Sequence, residues 1–208
     1  MKNKEIEIKI KLTEVDFEKL GKYLKDNAKY VGEFIQKEEY FQPIGGKFIE
    51  PDGSIYNWLR LRTVGEETKL TFKRVHKDHE KSRNADEYET VVESAEQIRG
   101  IIRAMGFEEI LQYTKKRTIY KYKKEFEIAM DYVESLGYFV EIEYKADGED
   151  VEKVNKEIEK VAGELGLDLE DESILGYAHL GLINAGRPVP DFAKENYKNV
   201  HMNKKFRN

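Results

Sequence analysis

The chain of 208 residues contains no cysteine, which excludes disulfide bonds and thiolate chemistry and fits a reducing compartment. No apolar run approaches the roughly 20 residues that cross a bilayer. There is no excess of positive charge either: the formal net charge is -5, so no global basic field favours nucleic acid or an anionic membrane. The sequence enters a strand pattern at once, and we therefore expect no signal peptide. These absences predict a soluble cytoplasmic protein.

What the chain has instead is charge arranged with a period of two. Charged residues make up 37% of the sequence, yet an aromatic share of 12% indicates a packed core rather than disorder. The stretch Glu5-Ile6-Glu7-Ile8-Lys9-Ile10-Lys11-Leu12 alternates charged and apolar residues without a break, which is typical of a β-strand. The same alternation recurs in at least five more segments with charges of both signs. The charged faces are therefore predicted to face one another around a ligand.

The order of elements predicts an α+β fold. Helices are predicted from a cap at Thr13 to about Asn27, over Ala95 to Met105 behind a capping box at Ser94, over Asp150 to Leu165, and over Ser173 to Asn184. Hairpin-like links between the remaining segments favour an antiparallel sheet. We expect eight strands closed into a barrel whose charged residues point into a tunnel, with helices covering the apolar outer face. Residues 1–184 form this domain and 185–208 a polar, basic tail.

Charges of both signs inside such a barrel must be compensated. Internal salt bridges are one solution, and a polyanion held by Lys and Arg with divalent cations bridging it to carboxylates is another. Mg²⁺ typically uses one or two carboxylates plus substrate phosphates, so both ligand types together indicate a metal–phosphate complex. The inward-facing candidates are Glu5, Glu7, Lys9, Arg60, Arg62, Lys73, Glu87, Glu89, Lys115, Arg117, Asp131, Glu141 and Glu143.

Glu5-Ile6-Glu7-Ile8-Lys9 matches the E-x-E-x-K signature of the CYTH superfamily, also called triphosphate tunnel metalloenzymes. The segments that follow resemble the same family in order: Leu59-Arg60-Leu61-Arg62, Thr71-Phe72-Lys73, Glu87-Tyr88-Glu89, Lys115-Lys116-Arg117, Asp131 and Phe139-Val140-Glu141-Ile142-Glu143. The resemblance covers residues 5 to about 177. It implies an eight-stranded antiparallel tunnel that takes up a triphosphate. Residues 80 to 145 look most like the bacterial and archaeal proteins labelled class IV adenylyl cyclase.

The resemblance also implies roles for individual residues. Those that would bind metal, Mg²⁺ or Mn²⁺, are Glu5, Glu7, Asp131, Glu141 and Glu143. Those that would hold phosphates are Lys9, Arg60, Arg62, Lys73, Lys115 and Arg117, of which Lys9, Arg60, Lys73 and Arg117 would be catalytic. We expect the cationic neighbours of Lys9 to lower its pKa, so that a neutral Lys9 could activate water in a hydrolase. In a cyclase, the ribose 3′-hydroxyl would attack the α-phosphorus instead.

Several residues have a second interpretation. Glu87 and Glu89 bind metal or pair with Lys73 or Arg117. Trp58 stacks on a base or thiazole, or packs at the tunnel rim. His76 and His79 lie in a charged loop and are predicted to be solvated, and His179 to be structural. The family often has Ser-Tyr in its C-terminal helix, whereas Ile174 follows Ser173 here and the nearest tyrosine is Tyr177.

The first functional hypothesis is a divalent-metal-dependent phosphohydrolase of inorganic or organic triphosphates, with inorganic triphosphate, ATP or thiamine triphosphate as substrate. The alternatives are a class IV adenylyl cyclase, which also needs adenine selection, and a non-catalytic polyphosphate- or nucleotide-binding module. No membrane partner is expected, and no nucleic acid other than a 5′-triphosphate RNA end. A homodimer is compatible with the sequence.

Overall fold

A computed structural model describes residues 6–46, 48–75, 85–145 and 150–202. The eight strands are β1 (Ile6–Leu12), β2 (Lys29–Pro43), β3 (Asn57–Val64), β4 (Glu67–Val75), β5 (Ala85–Val92), β6 (Phe107–Tyr122), β7 (Phe126–Val133) and β8 (Gly137–Tyr144). The helices are α1 (Glu14–Asn27), α2 (Ala95–Ala104), α3 (Val151–Glu164), α4 (Tyr177–Asn184) and α5 (Lys194–Tyr197). The predicted α+β class is confirmed.

The strands form one antiparallel sheet in the order β1-β8-β7-β6-β2-β3-β4-β5. The predicted eight-stranded antiparallel sheet is therefore confirmed. In this order β1 and β5 are the two ends, and among the described residues no ladder of hydrogen bonds joins them. The hairpin between β3 and β4 turns at Gly65, whose φ of 58° lies in the left-handed region that glycine tolerates best.

Two compact units can be distinguished. The first contains the described residues within Met1–Phe34, Lys116–Gly176 and Ala193–Asn208. Its core lies between helices α1 and α3 and the apolar face of β1, β8 and β7, where Ile10, Ile142 and Ile128 are fully buried. These residues alternate with charged ones, as the period of two requires, so one face of the three strands is apolar and the other charged.

The second unit contains Ile35–Lys115 and Tyr177–Phe192. Its core is formed by Phe41, Leu59 and Leu61 on β2 and β3 together with Ile102 of α2. The Ser94 hydroxyl accepts a hydrogen bond from the Gln97 amide at the start of α2, so the predicted cap is present. The same holds for Thr13, whose hydroxyl accepts from the Asp16 amide before α1.

The helix predicted from Ser173 to Asn184 is shorter than expected and begins at Tyr177. The reason is that the residues before it are held against β1: the Ser173 amide donates to the Lys9 carbonyl oxygen at 2.7 Å, and Glu172 forms an antiparallel bridge with Ile10. Glu172 has the extended backbone angles of this bridge, φ -64° and ψ 124°, so the helix starts only further along the chain.

The predicted tail is more structured than its polar composition indicates. Residues 191–202 form short helical turns, including α5. Ala193 and Val200 are completely buried. The described part of this segment is therefore packed, and we call residues 191–202 the C-terminal segment. Residues 203–208, Glu5, and the loop with His76 and His79 lie outside the described residues.

Candidate functional site on two charged sheet faces

The first charged face is formed by β1, β8 and β7. The register pairs Glu7 with Glu143, Lys9 with Glu141, and Lys11 with Phe139. Directly paired residues of an antiparallel ladder point to the same side, so these residues share one face. On β7 the residues on that face are Glu127, Ala129 and Asp131. The predicted grouping of Glu7, Lys9, Asp131, Glu141 and Glu143 on one face is thus present in the first unit.

Arg117 of β6 holds two of these carboxylates. Its Nε and Nη2 donate to the two Asp131 oxygens at 2.7 and 2.5 Å, and Nη2 also donates to Glu141. Asp131 is completely buried, so it depends on this guanidinium for compensation. Lys9 pairs with the other oxygen of Glu141 at 3.1 Å. Two cations and two carboxylates therefore form one buried network.

The prediction for the pKa of Lys9 is wrong. Burial by itself would lower this pKa, but the negative charges of Glu141, Glu7 and Asp131 outweigh burial and raise it above its ordinary value. The strand register causes this result, because it places Glu141 rather than another cation opposite Lys9. Lys9 is therefore an ammonium donor and not a neutral base.

Carboxylates form a row across the same three strands. Glu7 lies opposite Glu143, and Glu143 lies opposite Glu127. Like charges directly opposite one another are destabilising unless a cation intervenes. Lys145 supplies part of that compensation, with its Nζ 2.6 Å from Glu143 and 3.7 Å from Glu127.

Carboxylate oxygens are the ligands that Mg²⁺ and Mn²⁺ prefer, so the chemistry of this row fits a divalent cation. Within the described ranges, however, no three Asp, Glu or His side chains converge as metal ligands. Glu141 and Asp131 face Arg117, whereas Glu7 and Glu143 face each other. The metal-binding roles of Glu7, Asp131, Glu141 and Glu143 therefore remain predictions, and Glu5 lies outside the description.

The second charged face is formed by β2 to β5. Trp58, Arg60 and Arg62 share it, as predicted, because Arg60 lies opposite Thr71 and Arg62 opposite Lys69. The residues on it are Glu38 and Tyr40 of β2, Trp58, Arg60 and Arg62 of β3, Lys69, Thr71 and Lys73 of β4, and Glu87 and Glu89 of β5. This face belongs entirely to the second unit.

Glu87 and Glu89 pair with lysines of β4. Lys73 Nζ is 3.7 Å from Glu87, and Lys69 Nζ is 3.1 Å from Glu89. Glu89 also accepts a hydrogen bond from Thr71 at 3.0 Å. Of the two predicted interpretations of these carboxylates, the structure supports ion pairing for Glu87 with Lys73.

Glu38 is a central residue that the sequence did not single out. It is completely buried and accepts a hydrogen bond from Arg62 Nε through Oε1 at 2.6 Å. Its other oxygen, Oε2, lies 3.7 Å from Arg60 Nε, beyond hydrogen-bond distance. Both atoms are buried and have no hydrogen-bond partner among the described residues. Nη2 of Arg60 donates to the Thr71 hydroxyl at 3.3 Å, so the guanidinium is held on this face beside a buried carboxylate.

Aromatic rings flank the arginines. Trp58 packs edge-on against Tyr40, with ring centroids 5.5 Å apart, and against His179 of α4 at 4.8 Å. These contacts support packing for Trp58, while stacking on a base remains a prediction. Lys115 is buried with Nζ 5.0 Å from the centre of the Tyr177 ring, a cation–π contact. Its predicted phosphate-binding role is not tested by this contact.

Comparisons with known proteins identify the family of the chain. Residues 3–176 match the family model described as CYTH domain, which is most of the chain. The protein therefore belongs to the CYTH family. Members of this family are triphosphatases or adenylate cyclase-like proteins and use divalent metals. The match ends before the C-terminal segment.

Individual relatives match most of this chain over nearly their whole length. A putative adenylate cyclase of Methanocaldococcus jannaschii, MJ0240, is 31% identical over 180 residues, which are 86% of this chain and 97% of that protein. The protein PH1819 of Pyrococcus horikoshii OT3 has a similar structure, with a TM-score of 0.69, 28% identity, and coverage of 88% of this chain and 100% of that one. The conserved hypothetical protein Pfu-838710-001 of Pyrococcus furiosus gives a TM-score of 0.67 at 28% identity, and the match covers 85% of this chain and 99% of that one.

Among the described residues, none of the helices has both the length and the apolar character of a membrane span.

Proposed function

We propose that this protein is a divalent-metal-dependent triphosphatase that acts on inorganic or organic triphosphates, with Mg²⁺ or Mn²⁺ as the metal. The observation that carries the proposal is the Arg60 guanidinium. It lies beside Arg62 on the second charged face, with its Nε buried 3.7 Å from Glu38 Oε2 and without a hydrogen-bond partner in the described residues. The Arg60 side chain is 17% exposed, so part of the guanidinium remains within reach of an anionic ligand. Arginine matches the geometry of phosphate oxygens.

Lys9 and Arg117 on the first charged face have complementary roles in this proposal. Both are cations whose charge is secured by carboxylates, and the pKa of Lys9 is raised, so each donates hydrogen bonds rather than accepting a proton. Hydrolysis requires a water oxygen to attack the terminal phosphorus while the bridging oxygen departs with the diphosphate. Fixed cations stabilise the charge that develops on that oxygen. A bound divalent cation would add charge neutralisation, and Glu7 and Glu143 are the residues we propose to hold it.

The second candidate is an adenylyl cyclase, which the name of MJ0240 favours. In that reaction the ribose 3′-hydroxyl attacks the α-phosphorus and pyrophosphate leaves. The same cations would hold the triphosphate, but its position would be shifted so that the α-phosphorus rather than the terminal phosphorus is attacked. A cyclase additionally needs adenine recognition, which the triphosphatase does not, and for that reason hydrolysis is our first proposal.

The test is incubation of the purified protein with inorganic triphosphate, ATP or thiamine triphosphate in Mg²⁺ or Mn²⁺. Release of orthophosphate supports the triphosphatase, and cyclic AMP with pyrophosphate supports the cyclase. Binding without turnover would leave a non-catalytic module and overturn both. The Arg60→Ala and Glu7→Gln variants should fold and lose most of the activity, and full activity in either would remove the role assigned to that residue.

A further inference from the structure

His201 lies in the C-terminal segment, outside the part of the chain that matches the family. The segment is anchored in the first unit by Asn196, whose side chain donates to the Glu172 carbonyl oxygen at 2.7 Å and accepts from the Ile174 amide at 3.2 Å. Val200, next to His201, is completely buried. These contacts fix the position of the imidazole.

The His201 ring joins the C-terminal segment to the first charged face. Its Nε2 is 2.9 Å from Ser173 Oγ, and its Nδ1 is 3.4 Å from Lys11 Nζ. The Tyr197 ring stacks on it with centroids 5.2 Å apart and planes at 24°. The Ser173 amide is bonded to the Lys9 carbonyl oxygen, so the serine is itself attached to the strand that carries Lys11.

The partners determine which ring nitrogen carries the proton. An ammonium group only donates, so Nδ1 of His201 accepts from Lys11. The Ser173 hydroxyl donates to the Leu175 carbonyl oxygen at 3.1 Å and therefore accepts from Nε2–H. His201 is thus a neutral imidazole with its proton on Nε2. A neutral acceptor orients the Lys11 ammonium without contributing a negative charge of its own.

Lys11 is on the same face as Glu7 and Lys9, one pair further along β1. Strand residues rise about 3.3 Å each, so the two lysine Cα atoms are about 7 Å apart along one side of the strand. We propose that Lys11 is a further phosphate-binding residue of the first charged face, and that His201 is a positioning residue that orients it from the C-terminal segment. This inference rests on the proposed function for its ligand, a chain of phosphates.

The experiment measures inorganic triphosphate binding to the full chain by isothermal titration calorimetry in the presence of a chelator, and KM and kcat with Mg²⁺. Lys11→Met should weaken binding about tenfold, the usual scale for one charge-assisted contact, and raise KM while changing kcat little. His201→Ala should weaken binding by a few-fold, and His201→Gln, whose amide can accept from Lys11 and donate to Ser173, should restore most of it. Lys198→Met removes an exposed cation of the same segment and is the matched control, with unchanged affinity.

The positioning role is decided by the double variant. If His201 acts through Lys11, His201→Ala has almost no further effect on affinity in the Lys11→Met background. If the two substitutions weaken affinity by factors that multiply, the positioning role is overturned, and unchanged affinity in Lys11→Met would overturn the binding role.

If the wild type binds triphosphate but releases no orthophosphate, the proposed activity fails while this inference stands. If the wild type binds no triphosphate at all, both fail. If His201→Ala does not fold, the remaining variants decide. The inference is supported when Lys198→Met keeps wild-type affinity and Lys11→Met binds triphosphate more weakly. It is contradicted when His201→Gln binds triphosphate more weakly than Lys11→Met.

Discussion

Replacing Arg117 with methionine tests whether burial, rather than contact distance, determines the strength of an ion pair in this protein. Arg117 donates to Asp131 at 2.7 and 2.5 Å, and its side chain is 15% exposed while that of Asp131 is 0% exposed. Lys123 and Glu164 make a contact of similar length, 2.6 Å, but their side chains are 42% and 34% exposed. The two pairs therefore differ in burial, and Arg117 in addition binds Asp131 through two nitrogens and donates to Glu141.

The expected costs differ accordingly. Removing one partner of a buried pair leaves an uncompensated charge and costs about 3–5 kcal/mol. An exposed pair contributes about 0.2–1 kcal/mol, because solvent screens it. Arg117→Met should therefore lower the free energy of unfolding by about 3–5 kcal/mol, and Lys123→Met should lower it far less.

Urea titration followed by circular dichroism measures both values. The double variant Arg117→Met/Asp131→Asn should be more stable than Arg117→Met, since the amide removes the buried charge, with a coupling of about 0.5–3 kcal/mol. Equal losses for Arg117→Met and Lys123→Met would refute the reasoning. So would a double variant whose loss is the sum of the two single losses.

Two further predictions concern Lys9 and Arg60. Because the folded-state pKa of Lys9 is raised, its stabilising contribution is fully present below its ordinary value of 10.5 and is lost as the pH rises through the higher folded value. The difference in unfolding free energy between wild type and Lys9→Met should thus be constant from about pH 7 to about pH 9 in urea titrations, and a difference that vanishes in this range would contradict a raised pKa. Arg60→Lys should raise KM for inorganic triphosphate about tenfold, because an ammonium cannot make the paired contacts of a guanidinium. Arg74→Lys, at an exposed position of β4, is the control, and an equal KM in both variants would show that the guanidinium shape is not used.

The charged faces could be predicted because each strand that forms them has a strict alternation. In β1, Ile6, Ile8 and Ile10 leave Glu7 and Lys9 only one side on which to lie. The same logic placed Arg60 and Arg62 together. Composition and period thus determined which side of each strand is charged, and the family resemblance supplied the order of the strands' motifs.

Glu38 could not be found in this way because β2 carries polar residues on both faces. Lys37 and Glu39 flank it, and Glu39 is bound bidentately by Arg99 of α2, at 2.9 and 2.7 Å. Arg99 lies 60 residues further along the chain, and only the fold places its helix against the face of β2 that carries Glu39. Alternation therefore carried no information at this position.

The direction of the shift in the pKa of Lys9 could not be predicted either, because it depends on pairing between strands that are far apart in sequence. Its neighbours in sequence include Lys11, but its partner across the ladder is Glu141. A register between strands so distant in sequence cannot be read from either strand alone. The packing of the C-terminal segment has only a weak signature in the sequence, because two apolar residues, Ala193 and Val200, carry it within a polar stretch.

The pairing of the first strand with the last has a consequence for biosynthesis. β1 leaves the ribosome roughly 125 residues before β8, a delay of about 6–25 s at common rates of translation. During that time its isoleucines have no partner strand, and an unpaired apolar edge invites association with other chains. Glu7, Lys9 and Lys11 interrupt those isoleucines at every second position. Charges so placed discourage intermolecular sheet growth, and the residues suited to an anionic ligand in the finished protein thus also protect the nascent one.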